Sequence, residues 1–159
     1  MLHSGLFRKL EKVLSLKEID LIRAIYSRCK IRLGEQSFVP NIGVAQRSVI
    51  SPALFNVYCD DLYESIRDQA GIDEEDMLGY ADDLLILTTS LSQLKRVIQI
   101  IRDWCQGNNL KINAQKSGIV EFMPRSCSYT QSLQIGSFFE EFPVVEKYKY
   151  LGGWGEKIN

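Results

Sequence analysis

Two adjacent aspartates, Asp82 and Asp83, are the residues whose types and spacing point most directly to chemistry. They stand in the stretch GYADDLLIL at positions 79–87, after an aromatic residue and before an apolar run. Successive strand residues point to opposite faces of a sheet, so both carboxylates escape burial only in a hairpin turn. A hard divalent cation such as Mg²⁺ would relieve their mutual repulsion. An isolated pair of this kind is more often merely solvated.

A second aspartate pair, Asp60 and Asp61, lies in a segment with helical spacing. Ser51 is suited to cap this helix, Pro52 to occupy its first turn, and apolar residues recur every four positions from Leu54. Neighbours on a helix lie about 100° apart, so the two carboxylates cannot share one ligand. We therefore expect this pair to form a solvated helix face.

The elements that must position these residues follow from apolar spacing and capping signals. Capping boxes at 15–18 and 90–93 predict helices that end at Gly34 and Gly107. Residues 77–88 predict two short strands joined by a tight turn. Strands are also expected at 36–40 and through much of the chain after 118. This order predicts a single α+β domain over residues 1–159, with helices packed on one face of an antiparallel sheet.

Composition limits the function classes. The net charge is −1, but residues 51–90 carry one basic and ten acidic side chains, so the acidity surrounds the two aspartate pairs. A protein that grips nucleic acid through phosphates usually shows a basic surplus, which this chain lacks. No apolar run is long enough to predict a membrane span. The four cysteines are scattered without a CxxC pair, which indicates a reducing intracellular compartment.

Four segments occur in a characteristic order: GVAQRSVISPALFNVYCDDL at 43–62, YADD at 80–83, NLKINAQKS at 109–117 and YKYLGG at 148–153. Together they resemble the palm of a reverse transcriptase, an RNA-directed DNA polymerase, of the non-LTR retrotransposon class. The resemblance covers nearly the whole chain. It implies a polymerase palm-like antiparallel sheet, Mg²⁺ as cofactor, and RNA or DNA as a partner.

The resemblance also assigns roles to single residues. Asp82 and Asp83 correspond to the metal-binding hairpin, and Lys116 to a lysine near the leaving pyrophosphate. The remaining matches are the substrate- or template-facing Gln46, Arg47, Ser48 and Tyr80, of which Tyr80 flanks the metal hairpin, and the primer-grip-like Tyr150, Leu151 and Gly152. Without the pattern, Lys116 would be interpreted as a solvated lysine, and Tyr80 equally well as a core residue. For Tyr148 and Tyr150, packing at the sheet edge is the favoured interpretation.

Two departures from the family pattern bear on activity. The family's polymerase site uses an aspartate from a strand that precedes the first helix, and residues 1–20 contain no replacement for it or for the basic fingers. Position 47 carries arginine where the family usually has glycine, at a close approach of backbone and substrate. A phosphate contact is the alternative role for Arg47. These departures favour a degenerate, N-terminally truncated palm without polymerase activity of its own.

Three functions follow from these observations. The leading hypothesis is a palm retained as a structural or interaction subunit of a larger assembly with other protein subunits. The second is a split RNA-directed DNA polymerase, in which Asp82 and Asp83 bind Mg²⁺ and another polypeptide supplies the missing parts. The third is a non-catalytic nucleic-acid-binding module that uses the basic residues of the first third: Arg8, Lys9, Lys12, Arg23, Arg28, Lys30 and Arg32.

Overall fold

The structure is a computed structural model that describes residues 1–45, 48–122, 142–145, 147–150 and 153–156. Its helices are α1 (His3–Leu10), α2 (Leu16–Arg28), α3 (Ser51–Ala70) and α4 (Leu91–Gly107). Its strands are β1 (Ile31–Leu33), β2 (Gln36–Phe38), β3 (Met77–Tyr80), β4 (Asp83–Ile86), β5 (Lys147–Tyr150) and β6 (Gly153–Glu156). Short 3₁₀ turns cover Glu74–Asp76 and Ala114–Lys116. The α+β class is confirmed.

Within the described ranges the strands form three separate two-stranded sheets: β1 with β2, β3 with β4, and β5 with β6. Every pair is antiparallel, as predicted. Each strand has only three or four residues and pairs with its neighbour in sequence, so the pairing is local. The polymerase-palm arrangement of a continuous sheet therefore rests on the resemblance and not on these strand pairs.

The core is built around α3, which packs against both α1 and α4. Its predicted stripe is confirmed, since Leu54, Tyr58, Leu62 and Ile66 are each at most 5% exposed. The first two belong to a cluster with α1 and α2, and the last two belong to a second cluster with α4. Because α3 joins both clusters and also touches β3, it is the element that fixes the hairpin relative to the core.

Two helix boundaries differ from the sequence prediction. The α2 helix ends at Arg28 instead of continuing to Gly34, because residues 31–33 pair with β2 in a hairpin. The capping box at Ser15 that starts this helix is confirmed. Ser51 does not cap α3: it is the first helical residue, and its hydroxyl donates to the Ala45 carbonyl at 2.7 Å. The hydroxyl therefore anchors the preceding loop.

No helix within the described part of the chain is long and apolar enough to cross a membrane.

Candidate functional site

The aspartate pair lies at the tip of the β3–β4 hairpin. Tyr80 pairs with Asp83, which leaves Ala81 and Asp82 as a two-residue turn. Both carboxylate residues are exposed, as the hairpin prediction requires. Tyr80 is 54% exposed, so the alternative that it packs in the core is wrong. The structure thus presents an aromatic ring and two carboxylates to solvent at one turn.

The turn adopts an unusual backbone conformation that a helix side chain supports. Ala81 has φ +52°, a left-handed conformation that costs an L-residue with a Cβ roughly 1–2 kcal/mol. Its backbone N–H donates to the Asn56 Oδ1 atom at 3.3 Å. Asn56 is an exposed residue of α3, so this helix holds the turn directly.

A second contact between α3 and the hairpin lies at Gly79. A Cβ atom at this position would lie 2.0 Å from the Tyr63 hydroxyl oxygen and 2.8 Å from its Cζ atom. Since real Cβ atoms do not approach so closely, Gly79 is required for the Tyr63 ring to lie against β3. Sequence reasoning missed Asn56 and Tyr63. Their seven-residue spacing, which puts them on one helix face, was the available signal.

The fit of these residues to Mg²⁺ is partial. Mg²⁺ is commonly held by one or two carboxylates together with substrate phosphates and water, and Asp82 with Asp83 supply such a pair. Across the described residues there is no group of three or more His, Cys, Asp or Glu side chains that could hold a metal. Further ligands would therefore come from a substrate or from elsewhere in an assembly.

Lys116 lies on a different part of the structure. It is exposed at the end of the Ala114–Lys116 turn, and its carbonyl accepts a hydrogen bond from the half-buried Tyr148 hydroxyl. Tyr148 is a residue of β5, so the segment with Lys116 is tied to the strand that resembles a primer grip. Among the residues placed by the structure, no hydrogen bond or ion pair joins Lys116 to Asp82 or Asp83.

The loop before α3 is fixed at both ends. The His3 ring bonds through Nε2 to the Gly43 carbonyl at 2.9 Å, and the Ser51 hydroxyl bonds to Ala45. Ser48, a half-buried residue, lies between these anchors. Of the other predicted site residues, Gln46, Arg47, Leu151 and Gly152 lie outside the described residues. Tyr150 is in β5, where its backbone pairs with Gly153.

The expectation that Asp60 and Asp61 form a solvated face is wrong for Asp61. Its Oδ1 atom accepts from the Lys9 ammonium at 2.8 Å and from the Trp104 indole N–H at 2.9 Å. Lys9 also donates to the Tyr58 carbonyl at 2.7 Å. The two partners of Asp61, Lys9 and Trp104, come from α1 and α4, so the local helical spacing of α3 could not reveal them. Asp60 is exposed.

The aromatic and polar groups around Lys9 form one connected cluster, which we call the Lys9 cluster: Lys9, Tyr58, Asp61, Trp104 and Asn108. The ammonium lies 4.2 Å from the Tyr58 ring centroid and 4.9 Å from that of Trp104. The Tyr58 hydroxyl donates to the Asn108 Oδ1 atom at 2.9 Å. The Lys9 cluster therefore ties α1, α3 and the end of α4 together.

Burial raises the pKa values of the two thiols near the Lys9 cluster. It raises the pKa of Cys59 to about 12, with Asp61 and Cys105 adding to the shift and Lys9 opposing it. Burial also raises the pKa of Cys105. Both are free thiols, which agrees with the scattered spacing of the cysteines in the sequence, and of the two only Cys59 is fully buried. Neither is poised to act as a thiolate nucleophile at neutral pH.

Two of the seven basic residues in the first third are already engaged within the protein. Lys9 belongs to the Lys9 cluster and its side chain is only 15% exposed. Arg23 approaches Glu11 at 3.5 Å and stacks over the Phe7 ring at 4.3 Å. The basic surface available to phosphates is therefore smaller than the residue count suggests.

Comparison with known proteins adds a separate line of observation. The family model for "Reverse transcriptase (RNA-dependent DNA polymerase)" matches residues 2–154. The chain is 33% identical over 118 residues to the RNA-directed DNA polymerase from mobile element jockey of Drosophila melanogaster, covering 69% of this chain and 12% of that protein. The corresponding protein of Drosophila funebris is 29% identical over 163 residues, covering 94% of this chain and 17% of that protein.

A further similarity is to the retrovirus-related Pol polyprotein from the type-2 retrotransposable element R2DM of Drosophila melanogaster. It is 30% identical over 129 residues, which covers 74% of this chain and 12% of that protein. No solved structure gives a significant match. The chain spans less than a fifth of the length of the curated relatives it matches.

Proposed function

The chain belongs to the reverse transcriptase family, in its non-LTR retrotransposon class, and from this premise we propose that residues 1–159 form the palm of an RNA-directed DNA polymerase. The observation that carries the proposal is the exposed Asp82–Asp83 pair on a hairpin fixed to α3. Neither carboxylate forms an ion pair or a side-chain hydrogen bond within the described part of the chain. Both therefore retain their full capacity for a cation.

Within the proposal, Asp82 and Asp83 would hold Mg²⁺. The bound ion would supply positive charge to the attacking and leaving oxygens of phosphoryl transfer. Lys116 would stabilise charge on the leaving phosphate or donate a proton to it. The exposed Tyr80 ring would stack near the primer end, and the loop with Gln46, Arg47 and Ser48 would face the template.

We further infer that residues 1–159 act only within a larger assembly, either a longer polypeptide or a complex with other protein subunits. At the hairpin the described residues supply one carboxylate pair, and nowhere among them do three or more His, Cys, Asp or Glu side chains form a group that could hold a metal. Two neighbouring apolar side chains on one face of α2, Leu21 and Ile25, are also left open, at 63% and 41% exposed. In a larger assembly a partner segment would cover this face.

The test is Mg²⁺-dependent primer extension on an RNA template by an assembly in which the fingers and the first catalytic strand of a related polymerase are joined to residues 1–159. Extension should fall by at least ~100-fold in Asp82→Asn, since metal-held charge is worth several kcal/mol in the transition state. Asp60→Asn is the matched control, because Asp60 is exposed and lies on α3. Equal activity of the wild-type and Asp82→Asn assemblies would contradict the proposal.

A second function, a palm retained for its shape as a structural or interaction subunit, is favoured by Arg47. A long cation replaces the glycine that the family usually carries at a close approach of backbone and substrate. In this case the assembly extends no primer, and Asp82→Asn leaves its formation unchanged. Appearance of extension in Arg47→Gly alone would identify the arginine as the cause of the lost activity.

A further inference from the structure

We propose that one face of α3, formed by Asn56 and Tyr63, positions the Asp82–Asp83 turn, and that Asn56 is a positioning residue for the polymerase reaction. This role rests on the proposed function, because it concerns the same hairpin. Neither residue touches the carboxylates. They act on the backbone of Gly79 and Ala81, the residues immediately before and after Tyr80.

Helix α3 contacts the β3–β4 hairpin at two points. Asn56 and Tyr63 are seven residues apart, about two helical turns, so they lie on the same face of the helix. Tyr63 lies against Gly79, while Asn56 accepts the N–H of Ala81. The buried residues Leu62 and Ile66 anchor the same helix in the core. Movement of the turn therefore requires breaking a contact with a rigid element.

The hydrogen bond from Ala81 matters because of the conformation that it supports. A residue with a Cβ atom disfavours φ +52°, so the turn persists only where surrounding contacts offset that cost. The Asn56 oxygen accepts the Ala81 N–H in this conformation. Loss of the amide would leave the turn free to relax, and the adjacent Asp82 carboxylate would change direction.

The chemistry of asparagine suits this position. A carboxylate at 56 would also accept the N–H, but it would add a third negative charge beside Asp82 and Asp83. A lysine would pair with those carboxylates and compete with a cation. The neutral amide fixes the backbone without altering the charge of the pair.

The first measurement uses the 159-residue chain, with Mn²⁺ as the probe and broadening of the Ala81–Asp83 amide signals as the readout. Asn56→Ala should raise the half-saturating Mn²⁺ concentration about three- to tenfold, as expected for one lost hydrogen bond. Gln69→Ala is the matched control, since it removes an exposed side-chain amide from the same helix. An unchanged half-saturating concentration in Asn56→Ala, or an equal change in Gln69→Ala, would overturn the positioning role.

A double mutant separates positioning from general stability. Glycine tolerates positive φ, so in an Ala81→Gly background the effect of Asn56→Ala should shrink to within about twofold. The midpoint of thermal unfolding should fall only slightly in Asn56→Ala, as for the loss of one hydrogen bond of about 1 kcal/mol, and Ala81→Gly should restore it by removing the cost of the positive φ. A lowered midpoint together with no rescue by Ala81→Gly would make Asn56 merely structural and would contradict the inference.

Primer extension by the assembly distinguishes failure of this inference from failure of the proposed function. The expected result is a higher half-saturating Mg²⁺ concentration in Asn56→Ala with little change in the KM for the nucleotide. If Asp82→Asn abolishes extension but Asn56→Ala changes nothing, the positioning role alone is wrong. If Asp82→Asn changes nothing, the proposed function is wrong, and the Mn²⁺ titration still decides whether Asn56 sets the turn.

Discussion

Two aspartate pairs of identical sequence have opposite environments in this protein. Asp61, of the first pair, is bound by Lys9 and Trp104 within the Lys9 cluster. Asp82 and Asp83 are exposed at a hairpin tip, with no ion pair among the residues that the structure places. The same dipeptide therefore joins helices in one region and, in the other, leaves two exposed carboxylates that we propose as cation ligands.

The two aspartate pairs differ in how much they stabilise the fold. The Lys9 cluster joins three helices, and the Lys9 side chain is only 15% exposed, so loss of a partner leaves a poorly solvated charge. The hairpin carboxylates are already hydrated, so their removal costs the fold little. Stability and the proposed metal binding are thus assigned to different aspartates, and mutations can separate them.

The largest expected effect on folding comes from truncating the bound aspartate. Asp61→Ala should lower the free energy of unfolding by about 2–3 kcal/mol, a value below that of a fully buried pair because the Asp61 side chain is 43% exposed. Asp82→Ala should change it by no more than about 0.5 kcal/mol. Urea denaturation of both variants measures the difference. Similar losses in the two variants would remove the distinction between the pairs.

A smaller loss is expected where α3 meets the hairpin. In Gly79→Ala the new methyl group would overlap the hydroxyl end of the half-buried Tyr63 side chain, which must shift, so the variant should lose about 1–2 kcal/mol, in the lower part of the range for overpacking. Gly107→Ala is the matched control, because no atom lies within 4 Å of its Cβ position. Thermal unfolding followed by calorimetry compares them. If Gly79→Ala is no less stable than Gly107→Ala, the Tyr63 contact does not support the hairpin.

The helical region should also lose stability in alkali. Cys59 has a pKa raised by burial from 9.0 to about 12, so below pH 9 the thiol is protonated in both the folded and the unfolded chain. Between these values only the unfolded chain loses the proton, and the free energy of unfolding should fall by up to about 1.4 kcal/mol per pH unit. Urea titrations at pH 8, 9 and 10 measure this slope.

Cys59→Ala provides the reference for the alkaline titration, because it lacks the titrating thiol. The difference between wild type and variant should shrink as the pH rises above 9. A difference that is independent of pH would show that the thiol titrates alike in both states.

The smallest effect concerns the edge of the Lys9 cluster. Tyr58→Phe removes one hydrogen bond to Asn108 and should cost about 1 kcal/mol. Tyr80→Phe, at the exposed hairpin, should leave stability unchanged. Equilibrium unfolding of both variants tests whether Tyr58 and Tyr80 differ in their contribution to stability, as the aspartates near them are expected to differ. A larger loss from Tyr80→Phe would reverse the comparison.

Local patterns predicted the features that depend on neighbours in sequence. The spacing of Leu54, Tyr58, Leu62 and Ile66 gave the buried face of α3, and the apolar runs flanking Asp82 gave the hairpin. Ser15 and Glu18 gave the start of α2. Each of these depends on contacts within a few residues, where periodicity and capping carry the information.

The features that sequence reasoning missed depend on distant partners. Asp61 is 52 residues from Lys9 and 43 from Trp104, and Asn56 is 25 residues from Ala81. No period or motif in a single sequence links such positions. The error at α2 has a different cause, because residues 31–33 pair with the nearby strand β2 in a local hairpin although the helical stripe of apolar residues continues through them.

The most direct test of the central claim is a Mn²⁺ titration of the 159-residue chain, with amide line broadening recorded at both aspartate pairs. The signals of Ala81, Asp82 and Asp83 should broaden first, and Asp82→Asn should abolish this response. The signals of Asp60 and Asp61 should broaden only at higher Mn²⁺ concentrations, because Lys9 already neutralises Asp61. Broadening that begins at Asp60 and Asp61, or equally at both pairs, would show that the hairpin carboxylates are not the preferred cation ligands.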